Sequence, residues 1–585
     1  MQKTDAIQFL TSCAILMVVV VLSSFVFTKF DLTEEKRHTL TSASIDMLSS
    51  LDDQVYIKCY LHGEYPARFQ RFERAIKERL DEFVDYSDGM VSYEFIDPYS
   101  IDDAKTITEV ETALYEQGLS FTRLSYEENG TTKYQLVWPG AIITYKNKDY
   151  PVQLYKSPNP EATELMVNSS IERIEYELAS RILYLIQDEV PRIGILEGHG
   201  ELDEWNLIDL TFALQENYFV ERVKIDEKIF ALSDKAENSE DRINKFDLLI
   251  IAKPDSLFSN KDKLVIDQFI MNGGRTLWMI DPILTDLDSL AKQQQTYGIT
   301  NEMGLYDMLY SYGVRPNRNM VIDYNCAPIV FDVGPQGNQR NVDVKRWYYA
   351  PLAIPRDSAH IITNHLDPIH FEFASSLDFV GENTKVRKTP LLRSSTLSRE
   401  LPAPVRVNTG IVNLELPYFE PRAGEDRLPP FNLAVLLEGE FESNFTNRLP
   451  DTIKNDPNIA FRGFSKPNAM VVIADGDICR NKIMDGRDGP LPVPLGYDRY
   501  SGRVVYDNKE FLHNSVNYLM GDNALIQMRS RNIIIRKLNE EKIIKQRTRF
   551  QIVNVAFPLF LVVVFGLIQG YFRSKKFSQN NILSK

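Results

Sequence analysis

Two long apolar segments, one near each end of the chain, constrain its fold more than any other feature of the sequence. The first comprises residues 6–27 and the second residues 551–572, and neither contains a charged residue. As a helix, each segment would be about 33 Å long, which is enough to cross a hydrocarbon core of about 30 Å. The sequence therefore predicts a polar body between two transmembrane helices, with both termini on the same side of the membrane.

Each segment has an alternative interpretation. The first has the position of a cleaved signal peptide, but its apolar stretch is long for one and no small-residue cleavage site precedes Lys29. The second is long enough for a buried core helix, yet Arg549 before it, Tyr571 at its end and Arg573 after it are typical of a membrane interface. Basic residues flank the second segment on both sides, so local charge does not decide the orientation. We expect the termini inside and the body outside.

The composition of the chain indicates a folded body that does not bind nucleic acid. Hydrophobic residues make up 44% of the sequence and charged residues 25%, which is typical of a globular protein. The net charge of −15 argues against a nucleic-acid surface, because binding to phosphates needs a basic face. Four cysteines are widely spaced and form no C-x-x-C motif, so they leave the redox compartment open.

The body begins with a juxtamembrane stem, residues 28–50, and a first α/β domain, residues 51–188. In the stem, Thr39 or Thr41 is expected to cap a short helix. In the domain, a strand–helix–strand series predicts a parallel βαβ unit. The predicted elements are a strand at 55–61, a helix at 69–86, strands at 91–98, 121–126 and 135–145, and a helix at 161–187.

A second α/β domain, residues 189–525, is predicted to be a doubly wound sheet. Its strands are expected at 191–196, 220–225, 246–252, 275–280 and 469–474, and its helices at 207–214, 261–272 and 508–520. Ligands of such sheets usually lie at the carboxyl ends of the strands. Residues 313–467 are rich in proline and weak in periodicity, which indicates a long insertion. A basic helical connector (526–550), the second transmembrane segment and a basic tail (573–585) complete the predicted organisation.

The first candidate site is Glu197-Gly198-His199-Gly200-Glu201, which follows a predicted strand. Two glycines allow a sharp turn that exposes the imidazole, and the carboxylates of Glu197 and Glu201 suit acid–base chemistry or contact with a ligand or partner. The alternative is a tight turn whose glycines satisfy backbone geometry while His199 bonds locally.

The second candidate site is Asp475-Gly476-Asp477, at the end of the last predicted strand. Two carboxylates two residues apart suit a divalent cation, and the alternative is an Asx-type turn. The spacing of His360, His365 and His370 does not suit a zinc triad, so we predict no metal site, no cofactor and no catalytic residue.

Two absences from the sequence limit its chemistry. There is no G-x-x-x-x-G-K-[ST] motif, so the chain is not itself a P-loop ATPase, and any nucleotide energy comes from a partner. There is no G-x-S-x-G motif, and no histidine lies near Cys326 or Cys479 in sequence. The sequence therefore predicts a protein that is not an enzyme.

The order of these features resembles a known family. The chain is similar to the auxiliary, substrate-binding-like subunit of bacterial ABC-type transport systems, and in particular to the gliding-motility-associated subunit of Bacteroidetes. The residues that carry the resemblance are Phe30–Arg37, Ile195–Glu201, Tyr312–Val314, Asn325–Pro328, Leu366–Pro368, Phe371–Ser376, Lys388–Leu392 and Val472–Asp477.

The resemblance implies a two-pass protein of the bacterial cytoplasmic (inner) membrane whose large body faces the periplasm. It implies a permease and an ATPase as partners, a place in gliding motility or envelope transport, and a second domain similar to the class I glutamine-amidotransferase-like fold. The domain has no nucleophilic cysteine at a strand-to-helix elbow, which argues against the enzymatic activity of that fold.

Three functions follow from these observations. The first is a non-enzymatic auxiliary subunit of a transport complex. The second is a membrane-anchored envelope hydrolase that uses Glu197, His199, Asp475 and Asp477. The third is a structural linker between motility or secretion machinery and the membrane. A ligand pocket at the strand ends would argue against the third function. Convergence of Glu197, His199, Asp475 and Asp477 would support the second.

Overall fold

The computed structural model shows a mixed α/β protein. Two compact units are present, Met1–Asn532 and Ile533–Lys585. The described residues are Thr11, Met17, 39–529 with short gaps, and 554–572. The gaps are 101–103, 129–130, 156–163, 188–189, 236–241, 286, 288–289, 291–294, 337–338, 356–359, 365, 382–383, 423, 426–427, 458 and 487–488.

The first sheet contains the predicted parallel βαβ unit. Val55–Cys59 pairs in parallel with Val91–Phe95, and helix Ala67–Tyr86 connects them. Gly140–Tyr145 and Lys148–Gln153 extend the sheet on the other side as an antiparallel hairpin. The strand predicted at 135–145 is instead two strands, because Pro139 interrupts it. The first of the two, Thr131–Val137, pairs with Thr122–Glu128 in a separate hairpin, and helices Ala104–Glu116 and Glu164–Ile186 complete this region.

The stem contains the predicted capped helix, Ser42–Ser49. The Thr41 side chain accepts a hydrogen bond from the Ser44 backbone N–H, as an N-cap residue does. Met47 and Leu48 on this helix are buried in the same core as the first sheet. The described part of the stem is therefore packed against the body.

The second sheet has nine strands and forms the centre of the larger region. Five are parallel, in the order Asn468–Ile473, Arg275–Met279, Leu248–Ala252, Arg192–Glu197 and Phe219–Lys224. All five lie within two residues of their predicted positions. The other four strands, which come from residues 313–467, are antiparallel additions beyond Asn468–Ile473: Asn432–Gly439, Leu377–Phe379, Val314–Pro316 and Val386–Arg393.

Helices cover both faces of the parallel strands, as a doubly wound sheet requires. Leu248 and Ile250 face helices Ile208–Gln215 and Asn508–Met520. Leu249 and Ile251 face helix Asn260–Met271 on the opposite side. Because successive side chains of a strand point to opposite faces, a strand covered on both sides must be apolar at every position, and Leu248–Ala252 is.

Residues 313–467 also contribute most of a small core that contains Trp347, Tyr348 and Phe419 and is completed by Ile283 and Leu290. Its longest feature is the hairpin of Cys326–Gln336 and Gln339–Ala353. The remaining described elements here and in the rest of the region are strands Ser233–Lys235, Arg242–Asn244, Ile283–Leu284, Gln295–Thr300, Asn319–Asp323, Ile369–His370, Ser398–Pro402, Val405–Asn408, Ile483–Gly486, Gly489–Pro492, Tyr497–Asp498 and Arg503–Val504, helices Tyr306–Tyr312, Leu416–Phe419, Asp451–Lys454 and Asn523–Arg529, and 3-10 turns Trp205–Leu207, Ile361–Thr363, Thr409–Asn413 and Asp477–Cys479.

One described helix is long and apolar enough to cross a membrane. It is Asn554–Phe572, with 19 residues and a mean hydropathy of 2.1, and none of it is buried within the protein. It corresponds to the predicted segment 551–572. The predicted first span, residues 6–27, lies outside the described residues apart from Thr11 and Met17, and so do the connector beyond residue 529 and the tail from residue 573.

Candidate functional site

Charged side chains collect at the carboxyl edge of the parallel strands. Lys253 follows strand Leu248–Ala252 directly, Asp281 stands two residues after Arg275–Met279, and Asp475 stands two residues after Asn468–Ile473. Because these strands are parallel neighbours, their carboxyl ends meet at one edge. The topology therefore brings together three charged residues that lie far apart in the sequence.

Lys253 lies between two carboxylates at this edge. Its Nζ is 3.0 Å from Asp281 Oδ2 and 2.5 Å from Asp477 Oδ2, and its side chain is 15% exposed. Burial alone would favour the neutral amine, but the charges of Asp281 and Asp477 outweigh that effect and raise the pKa of Lys253. The ammonium group thus fills the space that a bound cation would need between these carboxylates.

Asp475 is fully buried and bonds to the backbone. Its Oδ1 accepts a hydrogen bond from the Asp477 N–H at 2.7 Å, and its Oδ2 accepts one from the Glu372 N–H at 2.6 Å. Burial, together with the nearby charges of Asp281 and Asp477, raises the pKa of Asp475 well above its usual value. The bond to Asp477 N–H has the geometry of the Asx-type turn that the sequence allowed.

A second ion pair, which the sequence did not predict, adjoins the first. Lys482 Nζ is 2.5 Å from Glu372 Oε2, and the Glu372 side chain is 10% exposed. Neither residue stands at the end of a parallel strand, so no strand-end pattern could have found them. Lys253 and Asp281 were also missed, although the rule that polar groups gather at strand ends would have included both.

The turn after strand Arg192–Glu197 depends on its glycines. Gly198 and Gly200 have φ values of +119° and +78°, in the left-handed region that favours glycine. A Cβ on Gly200 would lie 1.6 Å from Asp255 Oδ1, whereas one on Gly198 would meet no atom within 4 Å. Gly200 thus lies against the Asp255 side chain, and the N–H groups of Asp255 and Ser256 donate to the His199 carbonyl, which holds the turn against the 255–258 loop.

His199 is buried between two carboxylates and an aromatic ring. Its Nδ1 is 3.3 Å from Glu201 Oε1, its Nε2 is 3.2 Å from Asp262 Oδ2, and its ring stacks on Phe258 with centroids 3.7 Å apart. Burial disfavours the charged imidazolium, but hydrogen bonds with Glu201 and Asp262 outweigh it and raise the pKa of His199. This arrangement favours an imidazolium that holds the turn against helix Asn260–Met271.

The raised pKa makes the stability of the full-length chain depend on pH near neutrality. The stabilising effect of His199 is complete below its unfolded pKa of about 6.5 and is lost as the pH rises through the higher pKa of the folded state. The loss is about 1.4 kcal/mol for each pKa unit by which the folded value exceeds the unfolded value. We expect the urea midpoint in detergent to fall over this interval for the wild type and not for His199→Gln. His62→Gln is the control, because the His62 side chain is 54% exposed. Equal pH slopes for the wild type and His199→Gln would contradict the prediction.

The five predicted site residues fall into three groups with different partners. Glu197 pairs with Arg222, His199 and Glu201 join Asp262, and Asp475 and Asp477 belong to the Lys253 cluster. Within the described residues, no hydrogen bond or ion pair connects His199 to Asp475 or Asp477. The same part of the chain contains no group of three His, Cys, Asp or Glu residues with the geometry of a metal site.

These features define an α/β body with a doubly covered sheet and an internally paired carboxyl edge. The family model described as an ABC-type uncharacterized transport system matches residues 190–515, more than half of the chain. The chain therefore belongs to this family and is an auxiliary component of an ABC-type transport system. A model described as a domain of unknown function matches residues 34–144.

Two further similarities were found. An uncharacterized protein of Borreliella burgdorferi is 22% identical over 580 residues, which is 97% of this chain and 98% of that protein. A solved structure, the mmIFT52 N-terminal domain, is 11% identical and overlaps 56% of this chain and 96% of that domain with a TM-score of 0.29, which is too low to carry an argument.

Proposed function

We propose that this chain is the non-enzymatic, substrate-binding-like subunit of its transport system and that it couples an extracytoplasmic body to a permease and an ATPase. In this proposal the chain crosses the bacterial inner membrane twice, through residues 6–27 and 551–572, and the body faces the periplasm. The ATPase partner supplies the energy, since the sequence contains no P-loop motif.

The observation that carries the proposal is a joint where the two segments that lead toward the predicted spans meet. The stem helix Ser42–Ser49 and helix Asn523–Arg529 bury side chains in one core, which also contains residues of helix Glu164–Ile186. Met47 and Leu525 are each no more than 5% exposed. In this proposal, a movement of either predicted span is transmitted along the chain to this joint.

Helix Glu164–Ile186 extends the joint to the second domain. Near its carboxyl end, Arg181 pairs with Glu216 at 2.9 Å and donates a hydrogen bond to Asn217 Oδ1 at 3.2 Å. Near its middle, Glu175 bonds to the stem. One helix thus contacts both the stem and the larger region, which suits a subunit that transmits movement.

The paired state of the predicted site residues supports a non-enzymatic role. A general base or nucleophile must be free to contact substrate, whereas His199 has both ring nitrogens beside carboxylates and Asp477 contacts Lys253. The hydrolase alternative therefore has no specific support from the described geometry. We further infer that the second domain is similar to the class I glutamine-amidotransferase-like fold and that the complex acts in gliding motility or envelope transport.

Co-purification tests the proposal. The full-length chain, solubilised gently from its native membranes, is expected to elute with an ABC permease and its ATPase, identified by mass spectrometry. Matched samples washed with high salt should retain the permease, because contacts within a membrane are not screened by salt. Purification as a lone monomer under the mildest conditions would contradict the proposal.

A further inference from the structure

The 3-10 turn Trp205–Leu207 and helix Ile208–Gln215, which follow strand Arg192–Glu197, carry two exposed aromatic side chains and the partly buried Ile208 on one side. Trp205, Ile208 and Phe212 lie three and four residues apart, on the side opposite to the buried Leu207, Leu210 and Leu214. Trp205 is 53% exposed and Phe212 is 61% exposed. We call Trp205, Ile208 and Phe212 the aromatic face.

A neighbouring segment enlarges this surface. Residues 481–495 are held beside the helix because the Asn481 N–H donates to the Asn206 carbonyl at 2.7 Å and the Asp209 carboxylate accepts from the Leu495 N–H at 2.9 Å. Between these two anchors, the hairpin Ile483–Gly486 and Gly489–Pro492 exposes Ile483, Met484 and Leu491 by 42%, 39% and 59%. Exposed large apolar side chains on adjacent segments are typical of a protein-binding surface.

The exposed side chains that immediately precede the aromatic face are acidic. Asp203 and Glu204 are both exposed and immediately precede Trp205. The Asp203 carboxylate accepts hydrogen bonds from Asn206, and the Glu204 carboxylate has no hydrogen bond or ion pair within the described residues. The nearby cations are already paired, since Lys509 contacts Asp209 and Arg480 contacts Asp477. The aromatic face therefore has an acidic border, in which the Glu204 carboxylate forms no ion pair within the described residues.

We propose that the aromatic face docks an amphipathic helical segment of another protein, whose apolar side packs on Trp205 and Phe212 and whose flanking lysines or arginines meet Asp203 and Glu204. Two exposed aromatic side chains on successive turns suit the spacing of apolar positions on a partner helix. The acidic border opposes an anionic membrane surface, which would prefer basic flanks. This inference goes beyond the proposed function and does not depend on it.

A defined peptide pair tests the face. The full-length chain in detergent is titrated with a labelled 14-residue helix that has one leucine stripe and lysine elsewhere, and with the same helix carrying glutamate in place of lysine. We expect the lysine peptide to bind at least ten-fold more tightly. Trp205→Ala and Phe212→Ala should each weaken its binding about ten-fold, and Glu204→Lys should weaken it several-fold. Tyr297→Ala is the control, because Tyr297 is 58% exposed on a different sheet.

The membrane alternative has its own readout. In nanodiscs with brominated lipids, the fluorescence of Trp205, taken as the difference between the wild type and Trp205→Phe, should not be quenched. Quenching would overturn the proposal in favour of membrane contact. Equal binding of the two peptides, or an equal loss of lysine-peptide binding in Tyr297→Ala, would also contradict it. None of these results bears on co-purification with the permease, so failure of the face and failure of the proposed function are distinguishable.

Discussion

Replacing Lys253 with methionine is expected to lower the free energy of unfolding by about 3–5 kcal/mol, because it leaves the carboxylates of Asp281 and Asp477 buried without their shared cation. The measurement is the urea midpoint of the full-length chain in detergent at neutral pH. The loss of unfolding free energy caused by Lys253→Met should become smaller as the pH is lowered, since burial raises the pKa of Asp477 and a protonated carboxyl needs no counter-ion.

Two further variants separate this effect from a general loss of packing. Adding Asp281→Asn and Asp477→Asn to Lys253→Met should recover much of the lost stability, because the uncompensated charges are then removed. Lys261→Met is the matched control, since Lys261 pairs with Glu227 at 2.7 Å but is 68% exposed, and it should leave the midpoint unchanged. If the triple variant is no more stable than Lys253→Met, the charge argument is wrong.

The second large effect is expected at Glu175. Its Oε1 accepts hydrogen bonds from the Thr41 N–H at 2.7 Å and from the Ser44 hydroxyl at 2.8 Å, and it is 3% exposed. Glu175→Leu leaves the half-buried Thr41 N–H without its acceptor and removes the bond to the buried Ser44 hydroxyl, at a cost of about 1–3 kcal/mol. We expect the stem helix to separate from the body more often, which hydrogen–deuterium exchange of the full-length chain would detect as faster exchange over Ser42–Ser49.

The control for this prediction lies on the same helix. Glu164 is 58% exposed and pairs with Arg71 at 2.7 Å, so Glu164→Leu should leave exchange in the stem unchanged. Faster exchange is also expected over Asn523–Arg529 in Glu175→Leu, because that helix shares the core of the stem. Identical protection of the stem in both variants would show that Glu175 does not hold it.

The elements that the sequence predicted correctly depend on local patterns. The fully apolar run Leu248–Ala252 could be assigned to a covered parallel strand. A capped helix was predicted with Thr39 or Thr41 as the cap, and the structure shows Thr41. The predicted βαβ unit of the first domain is confirmed for the same reason. The mixed α/β class is confirmed, whereas the boundaries of the domains and the first transmembrane span stay predictions.

The features that the sequence did not predict depend on contacts between distant segments. Strand Asn432–Gly439 belongs to the central sheet only because Asn468–Ile473 lies beside it, and its own periodicity is that of any buried strand. Lys253 and Glu175 resemble ordinary surface charges until Asp281, Asp477 and Thr41 are placed around them. Burial of a single charged side chain has no local signature, since its partners come from elsewhere in the chain.

The four antiparallel strands from residues 313–467 have a consequence for engineering the protein. Excising this segment would expose the edge of Asn468–Ile473 and remove Leu433, Val435 and Leu437 from the core. The segment therefore cannot be deleted without disrupting the central sheet. A fluorescent label at Gln336 or Gln339 would leave the central sheet uninterrupted, because neither strand of the hairpin Cys326–Gln336 and Gln339–Ala353 belongs to that sheet.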